Sequence, residues 1–510
     1  MKISRALISV WDKTGLSELV GFLHKHDIEI IATGGTQKTL EKSGIPVTPI
    51  ETITGLPPIM GGRVKTISPK IFGGILADRD QPSHLEDLEQ LNAIPIDLVV
   101  VNFYPFVSEA AEKNLEFRKA IEYIDIGGPS MVRAAAKNYH SVVPLCDPKQ
   151  YPRFMEQFTK NDGRISIEFR QRYARDVFKM TAVYEAAIMA YFSKSDHELL
   201  PETLNITATR EQQIRYGENP HQKAAFYRNI HDINHWHQFQ GKKLSFNNYS
   251  DIDSTIRIIN EFTEPACVIV KHANPCGFGT GQNGLEAFHR AVATDPVSYF
   301  GGIVGFNREV PPDLALALIK PFLECVTAPS FTNEALRIFT KKKNLRVIRF
   351  DKDQQNGLVL KSCSGGYLVQ ERDRDQHELE HLKIVTKRPP SNSELISMRL
   401  GWIISKYVKS NSIVLSDYRQ VLGVGAGQMS RVDSVKIAVR KSQEAGLSLA
   451  GAIIASDAFF PFPDSLEIAA GAGITAVIQP GGSIKDDDVI NRADELNMAM
   501  VFTGIRHFYH

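Results

Sequence analysis

Short apolar strands alternate with helices through about the first 195 residues, and this alternation constrains the fold more than any other feature of the sequence. The runs ISRALISV, IEIIAT and DLVVVNFY are rich in Val and Ile, as buried strands are. GLSELVGFLHKH and TQKTLEKSG follow the first two runs with helical spacing. Strands that alternate with helices usually pair in parallel under a cover of helices, so the pattern predicts an α/β domain.

A long helix and two interruptions divide the rest of the chain. Apolar and aromatic residues recur near every 3.6 positions from Phe169 to Tyr191, which predicts a helix. The polar, non-periodic segment 193–213 predicts one domain boundary, and the Pro pair near 385–393 predicts another. A chain of 510 residues exceeds what one core usually supports. We therefore expect domains at residues 1–195, 196–385 and 386–510.

The region after the second boundary starts with a helix signal and repeats an earlier pattern. Ser391 and Glu394 have the spacing of a capping box for the helix in LISMRLGWIISKYV. EPACVIVKHANPCGFGTG and SNSIVLSDYRQVLGVGAGQ share a strand, a turn and a Gly-rich segment. This similarity favours two related α/β domains in tandem.

Charge and cysteine content argue against several classes of protein. A formal net charge of +1 argues against binding nucleic acid through bulk positive charge. Five scattered cysteines without a CxxC pair are typical of reduced thiols in the cytosol. No apolar run approaches the roughly 18 residues of a membrane span, and the apolar stretch near Met1 is too short for a signal peptide. We therefore expect a cytoplasmic protein with no nucleic-acid or membrane partner.

Lys271 and His272 stand together at the end of the strand-like run in ACVIVKHANPCG. An Asn-Pro-Cys-Gly turn is predicted to follow them and to stiffen the chain. One interpretation is a strand that has reached the surface and turned polar. The other is a catalytic pair at the mouth of a site, because Lys and His side chains both transfer protons.

Three Gly-containing stretches of the first region suit anion binding or proton transfer, each with a plainer alternative. IATGGTQKTL predicts a strand, a Gly-Gly turn and a helix start that attracts anions, or only a tight turn. Arg63 and Lys65 in GGRVKT fall on one side of an extended chain, or on a solvated loop. In IDIGGPSMVRAAAKN, a strand-like IDI precedes a helix with Pro129 at its first position. One interpretation of Asp125 and Lys137 in this stretch is a proton-transfer pair. The other is an acid favoured by the helix dipole together with an ordinary surface lysine.

Three later stretches carry weaker signals. RYGENPHQ has the composition of a binding loop or of a structured connector. VLGVGAGQMSR does not match the dinucleotide pattern GxGxxG, because Gln428 occupies the third glycine's place. ASDAFFPFPD predicts an apolar platform or a packed loop. NPCG matches half of a zinc deaminase signature, but the second Cys and the H-x-E motif are missing, so no zinc or other metal ligand set is expected.

Taken in order, these segments resemble the bifunctional family that joins aminoimidazole carboxamide ribonucleotide (AICAR) transformylase to inosine monophosphate (IMP) cyclohydrolase. The matching stretches are SVWDKTG, ATGGT, GGRVKT, NFYPF, IDIGGPSMVRAAAKN, RYGENPHQ, VIVKHANPCG, FGGI, KSNSIV, GAGQMSR, SDAFFPF, QPGGS and RHFYH. They run in family order from residue 9 to residue 510, so the resemblance covers nearly the whole chain.

The resemblance implies a fold, substrates and a partner. Residues 1–195 would form a methylglyoxal-synthase-like three-layer α/β domain with the cyclohydrolase site. The remainder would form two cytidine-deaminase-like α/β domains with the transformylase site and without zinc. AICAR would receive a formyl group from 10-formyltetrahydrofolate, and the product, FAICAR, would cyclise to IMP with loss of water. The transformylase site would lie at a homodimer interface, and some members of the family hold a structural potassium ion.

The resemblance also implies roles for individual residues of the transformylase. His272 would take the proton of the AICAR amine, and Lys271 would assist proton transfer and stabilise charge. Phe459 would stack on the pterin-like ring, and Asp464 would hydrogen-bond it. Nucleotide contacts would come from Arg215, Tyr216, Gly301, Glu324, Asn411, Arg431 and Arg506. Folate contacts would come from Val432, Phe459, Pro461, Asp464 and Ser483.

For the cyclohydrolase, the resemblance implies that Lys65 stabilises an oxyanion while Tyr104, Asp125 and Lys137 move protons. The nucleotide would be held by Ser9, Lys13, Thr33, Gly34, Gly35, Thr36, Arg63 and Thr66. The sequence departs from the family at Trp11, where many relatives have Ser, and at Ser68, where many have His. Two rival hypotheses are a transformylase with a degraded first domain and a nucleotide-binding regulator without turnover.

Overall fold

The computed structural model describes residues 2–193, 199–229, 235–351, 358–373 and 377–510. The chain divides into two compact units, unit 1 (Met1–Thr207) and unit 2 (Ala208–His510). The division falls inside the predicted boundary segment 193–213, of which residues 194–198 lie outside the described part. The end of that segment is a strand and not a linker. Among the described residues, no helix has both the length and the apolar character needed to cross a membrane.

Unit 1 contains a five-stranded sheet, sheet A, with the strand order β3-β2-β1-β4-β5. Its strands are β1 (Arg5–Ser9), β2 (Glu29–Ala32), β3 (Thr48–Pro49), β4 (Leu98–Val101) and β5 (Val143–Leu145). All four pairings are parallel, which confirms the predicted parallel sheet. The strand order reverses between β1 and β4, so a crevice opens at their carboxyl ends, where open α/β sheets bind ligands.

Helices cover both faces of sheet A because its strands are apolar on both faces. The helices of unit 1 are α1 (Leu16–Lys25), α2 (Gly34–Lys42), α3 (Ile50–Thr54), α4 (Pro69–Leu76), α5 (Pro82–Gln90), α6 (Phe117–Ala120), α7 (Gly127–Lys137), α8 (Tyr151–Lys160) and α9 (Ile167–Phe192). Ile8 belongs to one apolar cluster with Leu19 of α1 and Phe154 of α8. Its neighbour Leu7 belongs to another with Met131 of α7 and Val177 of α9. Unit 1 therefore has three layers, as predicted.

The described part of unit 2 contains two six-stranded sheets and two separate hairpins. Sheet B comprises β8 (Trp236–Gln240), β9 (Ala266–Lys271), β10 (Asn274–Thr280), β11 (Ile303–Phe306), β12 (Cys325–Ala328) and β13 (Arg346–Phe350). Sheet C comprises β16 (Lys383–Ile384), β17 (Ile413–Ser416), β18 (Val421–Gly425), β19 (Ile453–Ser456), β20 (Ala476–Gln479) and β21 (Ala499–Phe502). The hairpins are β6 (Ala208–Ile214) with β7 (Ala224–Asn229), and β14 (Leu358–Cys363) with β15 (Gly366–Glu371).

Sheets B and C have the same topology. Sheet B has the order β10-β9-β11-β12-β13-β8, and sheet C, taken from its other edge, has the order β18-β17-β19-β20-β21-β16. The helices of this unit are α10 (Phe246–Asn260), α11 (Gly284–Thr294), α12 (Pro312–Leu318), α13 (Asn333–Phe339), α14 (Asn392–Ser405), α15 (Arg431–Glu444), α16 (Asp464–Gly471) and α17 (Asp486–Glu495). α10 to α13 precede the same strands of sheet B as α14 to α17 precede in sheet C. This repetition agrees with the tandem arrangement favoured by the sequence.

The Gly-rich segments of the two repeats allow a helix to pack closely on a strand. A Cβ atom on Gly277 of β10 would lie 2.1 Å from the carbonyl oxygen of Ala291 in α11. A Cβ atom on Gly425 of β18 would lie 2.0 Å from the carbonyl oxygen of Ser434 in α15. No side chain fits at such distances, so these glycines are required for packing.

Two local predictions are wrong. The IDI run before α7 is not a strand, because the backbone of Ile124–Ile126 leaves a short 3-10 turn and joins no sheet. The NPCG segment is not a turn but the first part of β10, and the turn consists of His272 and Ala273. Pro275 is tolerated in this strand because β10 is the edge of sheet B and has a bulge at that point.

Candidate active sites

The first site lies at the carboxyl ends of β1 and β2. Ser9 ends β1, Thr33 follows β2, and their hydroxyl oxygens are 2.9 Å apart. α2 starts at Gly34, directly after Thr33, and no side chain caps its first N–H groups. These N–H groups are therefore available to an anion such as a phosphate.

Thr36 and Lys13 line the same helix start. The Thr36 hydroxyl accepts a hydrogen bond from the Val10 N–H at 3.1 Å, and Lys13 Nζ lies 3.2 Å from Thr36 Oγ1. Burial lowers the pKa of Lys13, and the charge of Asp12 opposes this effect only in part. A half-buried ammonium group beside a helix N-terminus strengthens the attraction for an anion.

A cation and an acid approach each other near the N-termini of α2 and α7. Lys65 Nζ lies 3.8 Å from the position that a Cβ atom on Gly34 would occupy. Asp125 Oδ1 accepts a hydrogen bond from the Gly128 N–H at 3.0 Å. Burial raises the pKa of Asp125, while the Gly128 hydrogen bond and the charge of Lys65 act in the opposite direction. Asp125 is thus an acid that keeps its proton to a higher pH than an exposed Asp does.

One further contact holds this acid in place, and a second lies at the start of the neighbouring helix α7. The Asp125 N–H donates to the Tyr184 hydroxyl oxygen of α9 at 2.7 Å. Thr66 approaches the start of α7 so closely that a Cβ atom on Gly127 would lie 2.6 Å from Thr66 Oγ1. The spacing of apolar and aromatic residues predicts only that Tyr184 lies on the apolar face of a helix. Its phenol group within that face is the one signal in the sequence for a polar role.

Two predicted cations of this site, Lys137 and Arg63, do not contact Asp125 in unit 1. Lys137 is exposed and is the last residue of α7. The 11 residues of this helix place it about 15 Å from Gly127 along the helix axis, at 1.5 Å per residue. A direct pair between Lys137 and Asp125 is therefore excluded within unit 1, and Lys65 is the cation that acts on Asp125. Arg63 pairs with the exposed Glu122.

The two departures from the family pattern have local structural roles. The Trp11 ring lies against the ring of Tyr104, with centroids 4.6 Å apart. Asn102, just after β4, accepts the Trp11 N–H at 2.6 Å. Ser68 caps α4, because its hydroxyl oxygen accepts the Lys70 N–H at 3.3 Å. Trp11 therefore helps to place a predicted catalytic residue, and Ser68 stabilises a helix start.

The second site is a cavity of about 1170 Å³ in unit 2. It gathers six of the predicted site residues, Arg215, Tyr216, Lys271, His272, Gly301 and Glu324. The first two lie in the β6–β7 loop, and the others lie at the end of β9 and just before β11 and β12. Because β9 runs antiparallel to β11, and β11 parallel to β12, these positions meet at one edge of sheet B.

The Lys-His pair spans the last residue of β9 and the first residue of the turn that follows it. Lys271 Nζ donates to the Phe300 carbonyl oxygen at 2.9 Å, which fixes the ammonium group beside Gly301. His272 is exposed in the cavity. Asp251 of α10 lines the same cavity, and its carboxylate accepts the Ala273 N–H at 2.6 Å. No sequence motif marks Asp251, since it is one of several polar residues at the start of α10.

Lysines give this cavity a positive lining that no sequence motif predicted. They are Lys242, Lys243, Lys341, Lys342 and Lys343, and all five are exposed. Gln240 Nε2 donates to the carbonyl oxygens of Phe339, Lys342 and Leu345 at 3.0, 3.3 and 3.2 Å. The loop that carries Lys341–Lys343 is thereby attached to the end of β8, next to Lys242. The KKK run was a visible signal, but only the fold brings it to the cavity.

The remaining predicted residues lie at one edge of sheet C. Phe459 and Pro461 follow β19, Ser483 follows β20, and Arg506 follows β21, while Asn411 precedes β17. β19, β20 and β21 are parallel and β17 is antiparallel to β19, so these positions meet at the carboxyl edge of the parallel strands. Val432 and Asp464 lie in the first turns of α15 and α16. Among the described residues, no member of this group lines the cavity of sheet B.

Arg431 is engaged within this second group. Its guanidinium pairs with the buried Asp457 and donates to Ser456 Oγ at 2.8 Å and to Asn411 Oδ1 at 2.7 Å. Only its remaining donors are available to a ligand. Lys409, two residues before Asn411, donates its N–H to Asn274 Oδ1, two residues after His272, at 2.9 Å.

Metal binding has no candidate here, since within the described ranges no three His, Cys, Asp or Glu side chains are grouped to hold an ion. The absence of zinc and the presence of potassium stay predictions, and no step proposed below depends on either.

One site joins helix N-termini to a cation and a half-buried acid, and the other joins a Lys-His pair to a positively lined cavity. Together with the α/β folds of both units, they define an enzyme with two separate sites for small anionic molecules.

Two family models match the chain, the AICARFT/IMPCHase bienzyme over residues 135–441 and the MGS-like domain over residues 15–130. A protein of Leptospira biflexa serovar Patoc is 47% identical over 513 aligned residues, and the alignment covers 100% of both chains. Relatives from Halalkalibacterium halodurans and Bacillus cereus B4264 are 48% and 49% identical over 512 residues, with 99% of each chain covered. All three are named bifunctional purine biosynthesis protein PurH. The chain in the crystal structure of ForH has 33% sequence identity to this chain. The match covers 37% of this chain and 99% of the ForH chain, with a TM-score of 0.34.

The chain belongs to the AICARFT/IMPCHase bienzyme family. It catalyses the final two steps of purine biosynthesis, formyl transfer to AICAR and cyclisation to IMP, and formyl-tetrahydrofolate is the formyl donor of the family. The predicted α/β class with an MGS-like N-terminal domain is confirmed. The cytidine-deaminase-like character of sheets B and C and the three domain limits stay predictions.

Proposed function

We propose that the cavity of unit 2 performs formyl transfer and that the site of unit 1 performs cyclisation. The observation that carries this assignment is the cavity that joins Lys271 and His272 to four predicted nucleotide-binding residues. A rigid hairpin that presents two proton-transferring side chains to a large cavity suits a reaction between two bulky substrates.

In formyl transfer, the amine nitrogen of AICAR attacks the formyl carbon of 10-formyltetrahydrofolate. The bond from that carbon to folate N10 breaks, His272 takes the proton lost by the amine, and N10 gains a proton. The amine is a weak nucleophile because its electrons are withdrawn towards the carboxamide, so a base within reach matters. Lys271 stabilises the negative oxygen of the tetrahedral intermediate, and its contact with the Phe300 carbonyl fixes that charge in advance.

The positive lining supports anionic substrates for this cavity. AICAR carries a phosphate group, and the folate carries carboxylates at the end of its tail. Lys341–Lys343 and their neighbours Lys242 and Lys243 offer an attractive potential to either group.

In cyclisation, the carboxamide nitrogen of FAICAR attacks the formyl carbon and forms the new C–N bond. The carboxamide nitrogen and the nitrogen that carries the formyl group each lose one proton, and the formyl oxygen leaves as water. Lys65 stabilises the oxyanion, and Asp125, whose pKa burial raises, supplies a proton to the leaving oxygen. The nucleotide phosphate binds the uncapped N-terminus of α2 beside Lys13. Proton transfer by Tyr104 and Lys137 stays a prediction.

Two copies of the chain share the formyl-transfer site in this proposal. The folate-contacting group lies at an edge of sheet C where Met429, Phe462 and Ile484 are exposed. Exposed apolar side chains grouped at one edge are typical of an interface. A partner subunit on this edge would supply its own Lys271 and His272. Cytoplasmic location and the bound potassium ion belong to the same proposal. The first rests on the scattered cysteines, and the second rests on the family resemblance.

The test measures each half reaction separately in variants of the full chain. His272→Ala is expected to lower formyl transfer at least about 100-fold, the usual contribution of a general base, while supplied FAICAR is still cyclised. Lys65→Ala is expected to do the reverse, by about 100-fold or more. A folded variant that loses both activities together would contradict the division. Accumulation of FAICAR by the unmodified protein would instead support a degraded first domain.

A further inference from the structure

His272 occupies a backbone conformation that most residues avoid. β9 and β10 form a hairpin whose two turn residues are His272 and Ala273, with φ values of 54° and 58°. Such a turn is usually made by Asn-Gly, because both central residues need positive φ. Ala disfavours this conformation, and His adopts it less readily than Asn or Gly, so contacts from outside the turn help to maintain it.

The turn is held from α10 and from its own next residue. Asp251 Oδ1 accepts the Ala273 N–H at 2.6 Å. Asn274 Nδ2 donates to the His272 carbonyl oxygen at 3.1 Å, and Asn274 Oδ1 accepts the Lys409 N–H. Asp251 is therefore the side chain that restrains the centre of the turn from a separate element.

Asp251 contacts the turn and also lines the cavity of the second site. It is half-buried and lines the same cavity as His272. Burial raises the pKa of Asp251, whereas the Ala273 hydrogen bond and the charge of His272 act in the opposite direction. Asp251 therefore combines two features: its carboxylate accepts a short hydrogen bond from the turn, and it lines the cavity that His272 enters.

We propose that Asp251 is a positioning residue for formyl transfer. Its hydrogen bond to Ala273 keeps the turn in the left-handed conformation that directs the His272 imidazole into the cavity. Asp251 acts through the backbone and transfers no proton to the substrate. This inference rests on the proposed role of His272.

The test compares Asp251→Ala with Asp251→Asn, which keeps an oxygen acceptor but no charge. We expect Asp251→Ala to lower kcat of formyl transfer about 100-fold, as a misplaced catalytic group does, with KM for AICAR nearly unchanged. Asp251→Asn should keep kcat within about fivefold of the unmodified protein. Asp253→Ala is the matched control, because Asp253 lies on the same helix and pairs only with Arg257 among the residues described.

A second substitution separates positioning from a general loss of structure. Ala273→Gly relieves the conformational cost of positive φ, so it should recover about tenfold in kcat when added to Asp251→Ala and change little by itself. An Asp251→Asn variant as slow as Asp251→Ala, or no recovery with Ala273→Gly, would overturn the inference. If His272→Ala retained formyl transfer, the proposed function would fail first, and the two failures are thus distinguishable.

Discussion

Asp125 and Gly128 are so close that a Cβ atom on Gly128 would lie 2.5 Å from Asp125 Oδ2. Gly128→Ala therefore has to displace the carboxyl group, and a displacement near 1 Å lowers catalysis by about 100-fold. We expect cyclisation of supplied FAICAR to fall by this factor while formyl transfer is retained. Gly21→Ala on α1 is the control, because its added methyl group meets no atom within 4 Å. Unchanged cyclisation in Gly128→Ala would remove Asp125 from the reaction.

Asp125→Asn should separate stability from activity. Burial raises the native pKa of Asp125, so the native state holds this proton more tightly than the unfolded chain does. The associated stability is complete below the unfolded pKa of about 3.9 and is lost as the pH rises through the native pKa. At pH 8, Asp125→Asn should therefore unfold at the same or a higher urea concentration than the unmodified protein, although cyclisation is lost.

Asp12→Asn is the matched control for that experiment and should show the opposite sign. The Thr14 hydrogen bond lowers the pKa of Asp12, so its stabilisation is present above the unfolded pKa and is lost in acid. Asp12→Asn should slightly lower the urea midpoint at pH 8, and this difference should shrink as the pH falls through the native pKa of Asp12. A large destabilisation by Asp125→Asn at pH 8 would contradict the assigned environment of Asp125.

The lysine lining should affect substrate binding more than turnover. Replacing Lys341, Lys342 and Lys343 by Gln is expected to raise KM for one substrate roughly tenfold, since exposed charges contribute about 0.2–1 kcal/mol each. The effect should fade at high salt. Comparing AICAR with its nucleoside identifies whether the phosphate is the group bound. Lys361→Gln, at an exposed position outside the cavity lining, is the control, and equal effects in both variants would exclude a specific role.

Mixing two inactive variants tests the shared site. His272→Ala and Arg506→Ala alter opposite groups of predicted residues, and both side chains are exposed, so neither change should unfold the protein. If two copies build each site together, exchange of subunits should restore about a quarter of the formyl-transfer activity, because mixed dimers contain one intact site. A mixture that stays inactive after proven exchange would place each complete site within one chain.

Elements with strong local signals were predictable from the sequence. α9 spans Ile167–Phe192, close to the limits set by its periodicity, and Ser391 and Glu394 form the predicted capping box. Both signals lie within a few residues of the structure they specify. The turn predicted at NPCG was wrong because no local signal decides the structure there. The segment is a strand, and that strand depends on pairing with β9 and on its place at the sheet edge.

The sequence by itself determined the family, the alternation of strands and helices, and the residue types that carry the chemistry. Only the tertiary structure decided which of these residues meet. Lys65 acts on Asp125 across 60 positions of chain, whereas Lys137, much nearer in sequence, is kept away by the length of α7. Likewise, Asp251 reaches the turn of His272 only because α10 packs beside β9. Contacts of this kind depend on the packing of separate elements, and the spacing of residues along a chain contains no information about it.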